Sequence, residues 1–169
     1  SKATALFNIL PYSVTYDGLP HTATGTATGV EPVPADLSSL LDFTGTIHTN
    51  AGTYAADTWT FAGNGNYNAD GGTITDVIGK ANATIVVNGY TGVYDGLPHG
   101  ATGTATGVMS EALAGLDLGL SFTNVPGGIA NWTFTDVTGN YNNASGSVNI
   151  EISKATALFN ILPYSVTYD

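Results

Sequence analysis

With 169 residues and no cysteine, the chain has room for two small domains but no disulfide to staple either. Three basic residues, all lysine, face 13 acidic ones for a formal net charge of -10, which excludes a phosphate-gripping nucleic-acid binder and a ligand of anionic membranes. Charged residues make up only 9%, against about a quarter in ordinary soluble domains. Threonine, asparagine, glycine and tyrosine must therefore cover the surface, and no apolar run approaches the length of a membrane span.

In chain order, strand signals dominate: Thr, Val, Ile and Tyr alternate with small or polar residues between Gly, Asn, Asp and Pro punctuation. The expected strands are Ala3–Leu10, Ser13–Tyr16, Thr22–Thr28, Phe43–Ile47, Thr53–Phe61 and Gly72–Ile78, then Ala83–Asn88, Gly92–Tyr94, Gly100–Thr106, Leu120–Thr123, Ala130–Thr135 and Gly146–Ile152. Ala35–Leu41 and Ser110–Leu116 are expected to carry short helical turns, with Asp36 and Ser110 as N-caps. In Thr22–Thr28 the threonines fall on one face and Ala23, Gly25 and Ala27 on the other, since side chains alternate. Trp59 and Phe61 share a face assigned to the core. Many short strands without a long helix predict an all-β, antiparallel β-sandwich architecture.

The two lists are one list repeated. Tyr16-Asp17-Gly18-Leu19-Pro20-His21 returns as Tyr94-Asp95-Gly96-Leu97-Pro98-His99, 78 residues on, and Tyr168-Asp169 begins it again after 74 more. Trp59-Thr60-Phe61 matches Trp132-Thr133-Phe134, and Gly65-Asn66-Tyr67-Asn68 matches Gly139-Asn140-Tyr141-Asn142. Residues 1–17 and 153–169 are identical. An exact copy records duplication rather than fold constraint, and it reads as a window on a longer tandem array. The expected domains are repeat A, residues 1–79; repeat B, residues 80–153; and the first strands of a further repeat A, residues 154–169. No Gly/Ser or Pro-rich linker parts them, so strand is expected to run into strand across a stiff joint.

The Lys-Ala opening, Tyr-Asp-Gly-x-Pro-His (16–21), Asn50-Ala51-Gly52-Thr53-Tyr54 and the Gly-Asn-Tyr-Asn turn (65–68) together resemble the MBG/YDG-type repeats of bacterial cell-surface proteins. The resemblance covers nearly all of repeat A; repeat B departs at Pro126-Gly127-Gly128-Ile129-Ala130, so nothing resting on His48 or Tyr54 is shared between repeats. It implies tandem immunoglobulin-like sandwiches, an extracellular cell-surface location and a structural or adhesive role without catalysis. The expected function is a structural segment of a surface filament, stalk or large adhesin. The alternatives are a module that binds carbohydrate or a host ligand, and a filament subunit in which residues 154–169 complete a neighbour by strand exchange. The expected partners are neighbouring repeats, laterally bundled copies and glycans, with no nucleic acid and no membrane insertion.

Each candidate site has a plainer reading beside it. Asp17 with His21, and Asp95 with His99, have the chemistry of an acid–base pair, but Asp-Gly-x-Pro also makes a turn whose Asp binds backbone amides and whose His rests on Tyr16. No repeated nucleophile accompanies them, so no enzyme is expected. Asn64, Asn66, Asn68 and Asp70 alternate oxygen ligands as a calcium loop does, yet lack its bidentate acid, and an Asn/Gly hairpin is the simpler reading; no other cofactor is expected. Asn82, Asn131 and Asn143 head Asn-x-Ser/Thr glycosylation sequons. Lys2, Lys80 and Lys154 sit at the joints: as solvated side chains, as ion pairs with Asp76 or Glu151, or as an isopeptide crosslink. The threonine face suits O-glycans or ice, or is simply a strand surface. Tyr12, Tyr16, Tyr90 and Tyr94 offer sugar stacking, or fill the core and the joints.

Overall fold

Alternation decides the strands. In a computed structural model describing residues 1–169, twelve strands and one 3-10 turn (Ser38–Leu40) make an all-β chain. The strands are β1 Leu6–Leu10, β2 Ser13–Thr15, β3 Thr24–Thr28, β4 Leu41–Gly45, β5 Gly52–Phe61 and β6 Asp70–Gly79, followed by β7 Thr84–Asn88, β8 Tyr90–Val93, β9 Thr102–Thr106, β10 Leu116–Asp117, β11 Gly127–Phe134 and β12 Ala144–Ser153. They form four-stranded sheets β2-β6-β5-β4 and β10-β11-β12-β8, and two-stranded sheets β1-β3 and β7-β9. The sheets curl as half-barrels.

The antiparallel expectation holds for β1/β3, β4/β5 and β5/β6. It fails at one edge in each repeat: β2 runs parallel to β6, and β8 parallel to β12. A parallel pair needs a long crossover, and here nearly a whole repeat lies between the two partners. The chain thus leaves each repeat beside the strand that followed its opening, from Gly79 through the Ala81–Tyr141 bridge into β7.

Two further expectations need correction. Ser110–Leu116 is not helical: Ser110 takes φ 66, and Leu113 N donates to Ala105 O at 2.9 Å, laying the segment against β9 as an extended bridge. The strand expected at Leu120–Thr123 reduces to one bridge, His99 with Phe122, while Leu116–Asp117 forms β10 instead. Gly119, at φ 78, lies against the Asn131 carbonyl where any side chain would collide, which breaks the run between the two. The turn at Ser38–Leu40 is present; Leu37 occupies its N-cap position, but Asp36 Oδ1 still accepts the Ser38 amide at 3.0 Å.

By packing, the residues divide into two compact units. The first holds Ser1–Ile85, Thr104–Leu116 and Phe134–Ala144; the second holds Val86–Gly103, Asp117–Thr133 and Ser145–Asp169. In the first, Ala5, Ala27, Leu37, Phe61 and Tyr67 form the core of repeat A. Phe7 of β1 meets Trp59 and Phe61 of β5, both at 5.0 Å between ring centroids, which closes the β1-β3 sheet over the larger one. Ala27 is buried while Thr24 and Thr26 are exposed, so β3 presents its small face inward as expected. In the second unit, Ala130, Ile150 and Ile152 gather Tyr90, Ala101, Phe122 and Val148.

Residues 154–169 form no strand, and all are exposed. Their letters are those of 2–17, but β1 and β2 owe their order to β3 and β6. Phe61→Ala should lower unfolding stability by about 3–5 kcal/mol in urea titrations, because Phe61 is 1% exposed. The same change at Phe159, 79% exposed, should shift it by less than about 0.5 kcal/mol.

Candidate functional site

The Tyr-Asp-Gly-Leu-Pro-His segments are built alike in both repeats. Asp17 Oδ1 accepts the Leu19 amide at 2.9 Å and lies 3.0 Å from His21 Nε2. Asp95 Oδ1 accepts the Leu97 amide at 2.9 Å and lies 2.9 Å from His99 Nε2. Gly18 and Gly96, at φ 80 and 81, make the reversal that lets each carboxylate reach forward. The amide first and the histidine second hold both carboxyls below the usual aspartate range. Each carboxylate is therefore engaged by its own turn. The imidazoles do not rest on Tyr16 or Tyr94: His99 stacks on Tyr90 at 4.0 Å, and His21 lies 5.8 Å from Tyr12.

The other candidate side chains point to separate backbone tasks. Asn64 Oδ1 accepts the amides of Asn66 and Tyr67, Asn68 Nδ2 donates to Lys2 O, and Asp70 Oδ1 accepts the Gly71 amide. These four residues close a turn and do not converge on one ligand point. Lys2, Lys80 and Lys154 are exposed, and none forms an ion pair; the expected partner Asp76 is buried and takes the Tyr12 amide instead. Asn82, Asn131 and Asn143 are exposed; Asn82 Oδ1 accepts from Asn142 Nδ2 and Asn143 Oδ1 from the Asp136 amide.

The Gly-Asn-Tyr-Asn turns do the binding between segments. In repeat A, Tyr67 OH donates to Glu31 Oε1 at 2.6 Å and accepts the Val30 amide at 2.9 Å. In repeat B, Tyr141 OH donates to Glu111 and accepts the Val108 amide at 3.0 Å. Burial, then the Glu111 hydrogen bond, pushes the Tyr141 hydroxyl up to about 12. The turn also brackets the opening of its own repeat: Ala3 N donates to Asn66 O and Asn68 N to Ala3 O, just as Ala81 N donates to Asn140 O and Asn142 N to Ala81 O.

The second of these turns carries a further set of contacts, with residues of repeat A and all within the first compact unit. Asn140 Oδ1 accepts the Ala51 amide at 2.8 Å, and Asn140 Nδ2 donates to Asn50 Oδ1 at 3.2 Å. Tyr16 meets Tyr141 edge to face at 5.5 Å. The Met109 thioether packs against Gly18, whose φ of 80 favours glycine at that position. Sequence reasoning assigned Tyr16 to core or joint and quoted Asn50 and Asn140 in their motifs, but gave neither of them, nor Met109, a place in the joint. The recurrence of Gly-Asn-Tyr-Asn was the available signal; the single methionine gave none.

Asp136 organises that turn. Burial opposes its charge, but the amides of Thr138, Tyr141 and Gly139 and the Thr138 hydroxyl outweigh burial and pull its pKa down to about 2. Its contribution to stability is thus complete above about pH 4 and is lost as pH falls toward about 2.

A polar cluster sits inside repeat A. His48 Nε2 lies 2.8 and 2.9 Å from the two Asp57 carboxylate oxygens, and the His48 ring stacks on Tyr54 at 3.5 Å. Asp76 is fully buried; its Oδ1 takes the Tyr12 amide at 2.8 Å, and its Oδ2 has no conventional donor. Burial raises the Asp76 pKa, the Tyr12 amide opposes, and the neighbouring Asp57 carboxyl raises it further. That oxygen is therefore buried without a hydrogen-bond partner, next to a second carboxyl. At the same registers repeat B has Phe122, Ala130 and Ile150 in place of His48, Asp57 and Asp76, an apolar core. No protein family, curated protein or solved structure matches this chain.

Asn140→Ala should lower stability by about 1–3 kcal/mol in urea unfolding, since it removes two hydrogen bonds from a side chain 8% exposed. Asp76 has the opposite pH sign to Asp136: its contribution is present below pH 3.8 and is lost as pH rises through its raised folded value. Asp76→Asn keeps the acceptor for Tyr12 and removes the ionisable carboxyl. Its melting temperature should therefore exceed that of the parent chain increasingly from pH 4 to pH 8.

Proposed function

We propose that this chain is a structural segment of an extracellular surface filament, stalk or large adhesin, built from tandem immunoglobulin-like repeats of the MBG/YDG type. The observation that carries the reading is the use of one turn for two tasks. Asn140 and Tyr141 close repeat B and also engage Asn50, Ala51 and Tyr16 of repeat A. A joint made of hydrogen bonds and aromatic contact, with strand leading into strand across Gly79–Thr84, transmits load where a polar linker yields to it. The identical 1–17 and 153–169 segments suit an array whose length changes by whole A–B pairs.

The low charge and the outward threonines of β3 and β9 fit an exterior that carries glycans or packs sideways on other arrays, and Asn131 is the sequon whose side chain is free of the turn network. Electron micrographs of proteins with two, four and six tandem copies of residues 1–152 test the reading. Contour length should grow in proportion to copy number with a narrow spread of bend angles; compact particles with freely varying angles would refute it.

A further inference from the structure

The basic side chains of this sequence are Lys2, Lys80 and Lys154, which recur at the spacing of the repeats, each followed by alanine. An endopeptidase that reads a basic side chain therefore meets one candidate bond per repeat, and each lies where a repeat begins. All three lysines are exposed and none is held in an ion pair. By its side chain alone, Lys80 is an open target.

Its backbone is the opposite. An endopeptidase binds its substrate as an added strand and needs the amides and carbonyls on both sides of the scissile bond. Around Lys80 those groups are taken. Tyr16 N donates to Gly79 O at 2.8 Å, Ala81 N to Asn140 O at 2.9 Å and Asn142 N to Ala81 O at 2.9 Å. Ala81 is 4% exposed, and Asn142 Nδ2 donates to Asn82 Oδ1 just beyond it. On one flank β6 ends at Gly79, paired with β2 and β5; on the other β7 starts at Thr84, paired with β9. Neither flank supplies a free strand. Two of the bonds at Ala81 come from the turn of repeat B, which Asn140 also fastens to Asn50 and Ala51. The amide of the scissile bond is thus one of the groups by which the joint closes.

We propose that Lys80–Ala81 is a latent processing site for lysine-directed endopeptidases, shut by the Gly139-Asn140-Tyr141-Asn142 turn and cut only when that turn lifts off. Once it lifts, the bond between the Lys80 carbonyl carbon and the Ala81 nitrogen is hydrolysed. One water supplies the hydroxyl of the new Lys80 carboxyl and a proton to the new Ala81 amine. The cut falls between β6 and β7, so it parts whole repeats and leaves the strands of each intact. Asn66 and Asn68 bracket Ala3 in the same way, so the closure recurs with the period. An array built like this withstands such enzymes while its joints are closed and is severed where one opens.

Limited digestion of the whole chain with trypsin, read by mass spectrometry, tests this. Lys154–Ala155 serves as the comparison, because Ala155 has no such bracket in this chain. It should be cut at least about a hundredfold faster than Lys80–Ala81, whose cleavage waits on local opening. Asn140→Ala should speed cleavage at Lys80–Ala81 about tenfold and leave Lys154–Ala155 unchanged. Ile150→Val lowers stability through the core of the second compact unit, and should change the Lys80–Ala81 rate by less than about twofold. Equal rates at the two bonds in the parent chain, or no acceleration in Asn140→Ala, would overturn the proposal. So would an Ile150→Val rate that matches Asn140→Ala, because cleavage would then follow unfolding of the chain and not opening of the turn.

Discussion

The Gly-Asn-Tyr-Asn turn is the constraint on which the remaining structure depends. Its tyrosine hydroxyl ties the end of the Thr-Gly-Thr-Ala-Thr strand to a glutamate, through Tyr67 with Val30 and Glu31 and through Tyr141 with Val108 and Glu111. Its backbone brackets Ala3 or Ala81 and so fixes where each repeat begins. In repeat B its first asparagine also engages repeat A. A short loop thus sets the closure of a domain, the position of its first strand and its attachment to a neighbour. A buried hydroxyl or amide without such partners would cost about 1–3 kcal/mol, which makes the bonded arrangement strongly preferred over its alternatives.

The two repeats solve the same packing problem with different chemistry. Repeat A buries Asp57 and Asp76 beside His48 and Tyr54, while repeat B fills the same registers with Ala130, Ile150 and Phe122. The apolar version gains burial energy directly. The polar version depends on a network in which each group needs its partner, and it is sensitive to pH through Asp76.

Much of this was legible in the letters. Strand alternation in Thr24–Thr28 and the shared face of Trp59 and Phe61 follow from period two, and both hold in the structure. The Asp-Gly-Leu-Pro turn follows from backbone preference, and its carboxylate contacts are those expected. What the letters hid were long-range choices. The parallel β2/β6 and β8/β12 pairs join segments some sixty residues apart, and no local pattern distinguishes a parallel from an antiparallel edge. Ser110–Leu116 has helix-compatible composition, yet the Leu113–Ala105 bond lays it flat. Asp76 sits in an ordinary strand pattern and reads as an ion-pair partner for a joint lysine, whereas the fold turns it inward to the Tyr12 amide. The lysines looked like joint residues by register, but the joint is made by asparagine, tyrosine and methionine instead.

The central claim is that repeats A and B are held together by the Asn140–Tyr141 turn. Each repeat contains one tryptophan, Trp59 or Trp132, so the chain carries its own pair of reporters. Urea unfolding followed by fluorescence in Trp132→Phe and in Trp59→Phe reads repeat A and repeat B separately, with the doubly substituted Tyr16→Ala, Asn50→Ala background as the uncoupled reference. The account predicts that the two midpoints move together in the parent background and separate once Tyr16 and Asn50 are truncated. Midpoints whose separation is the same with and without those two side chains would contradict it.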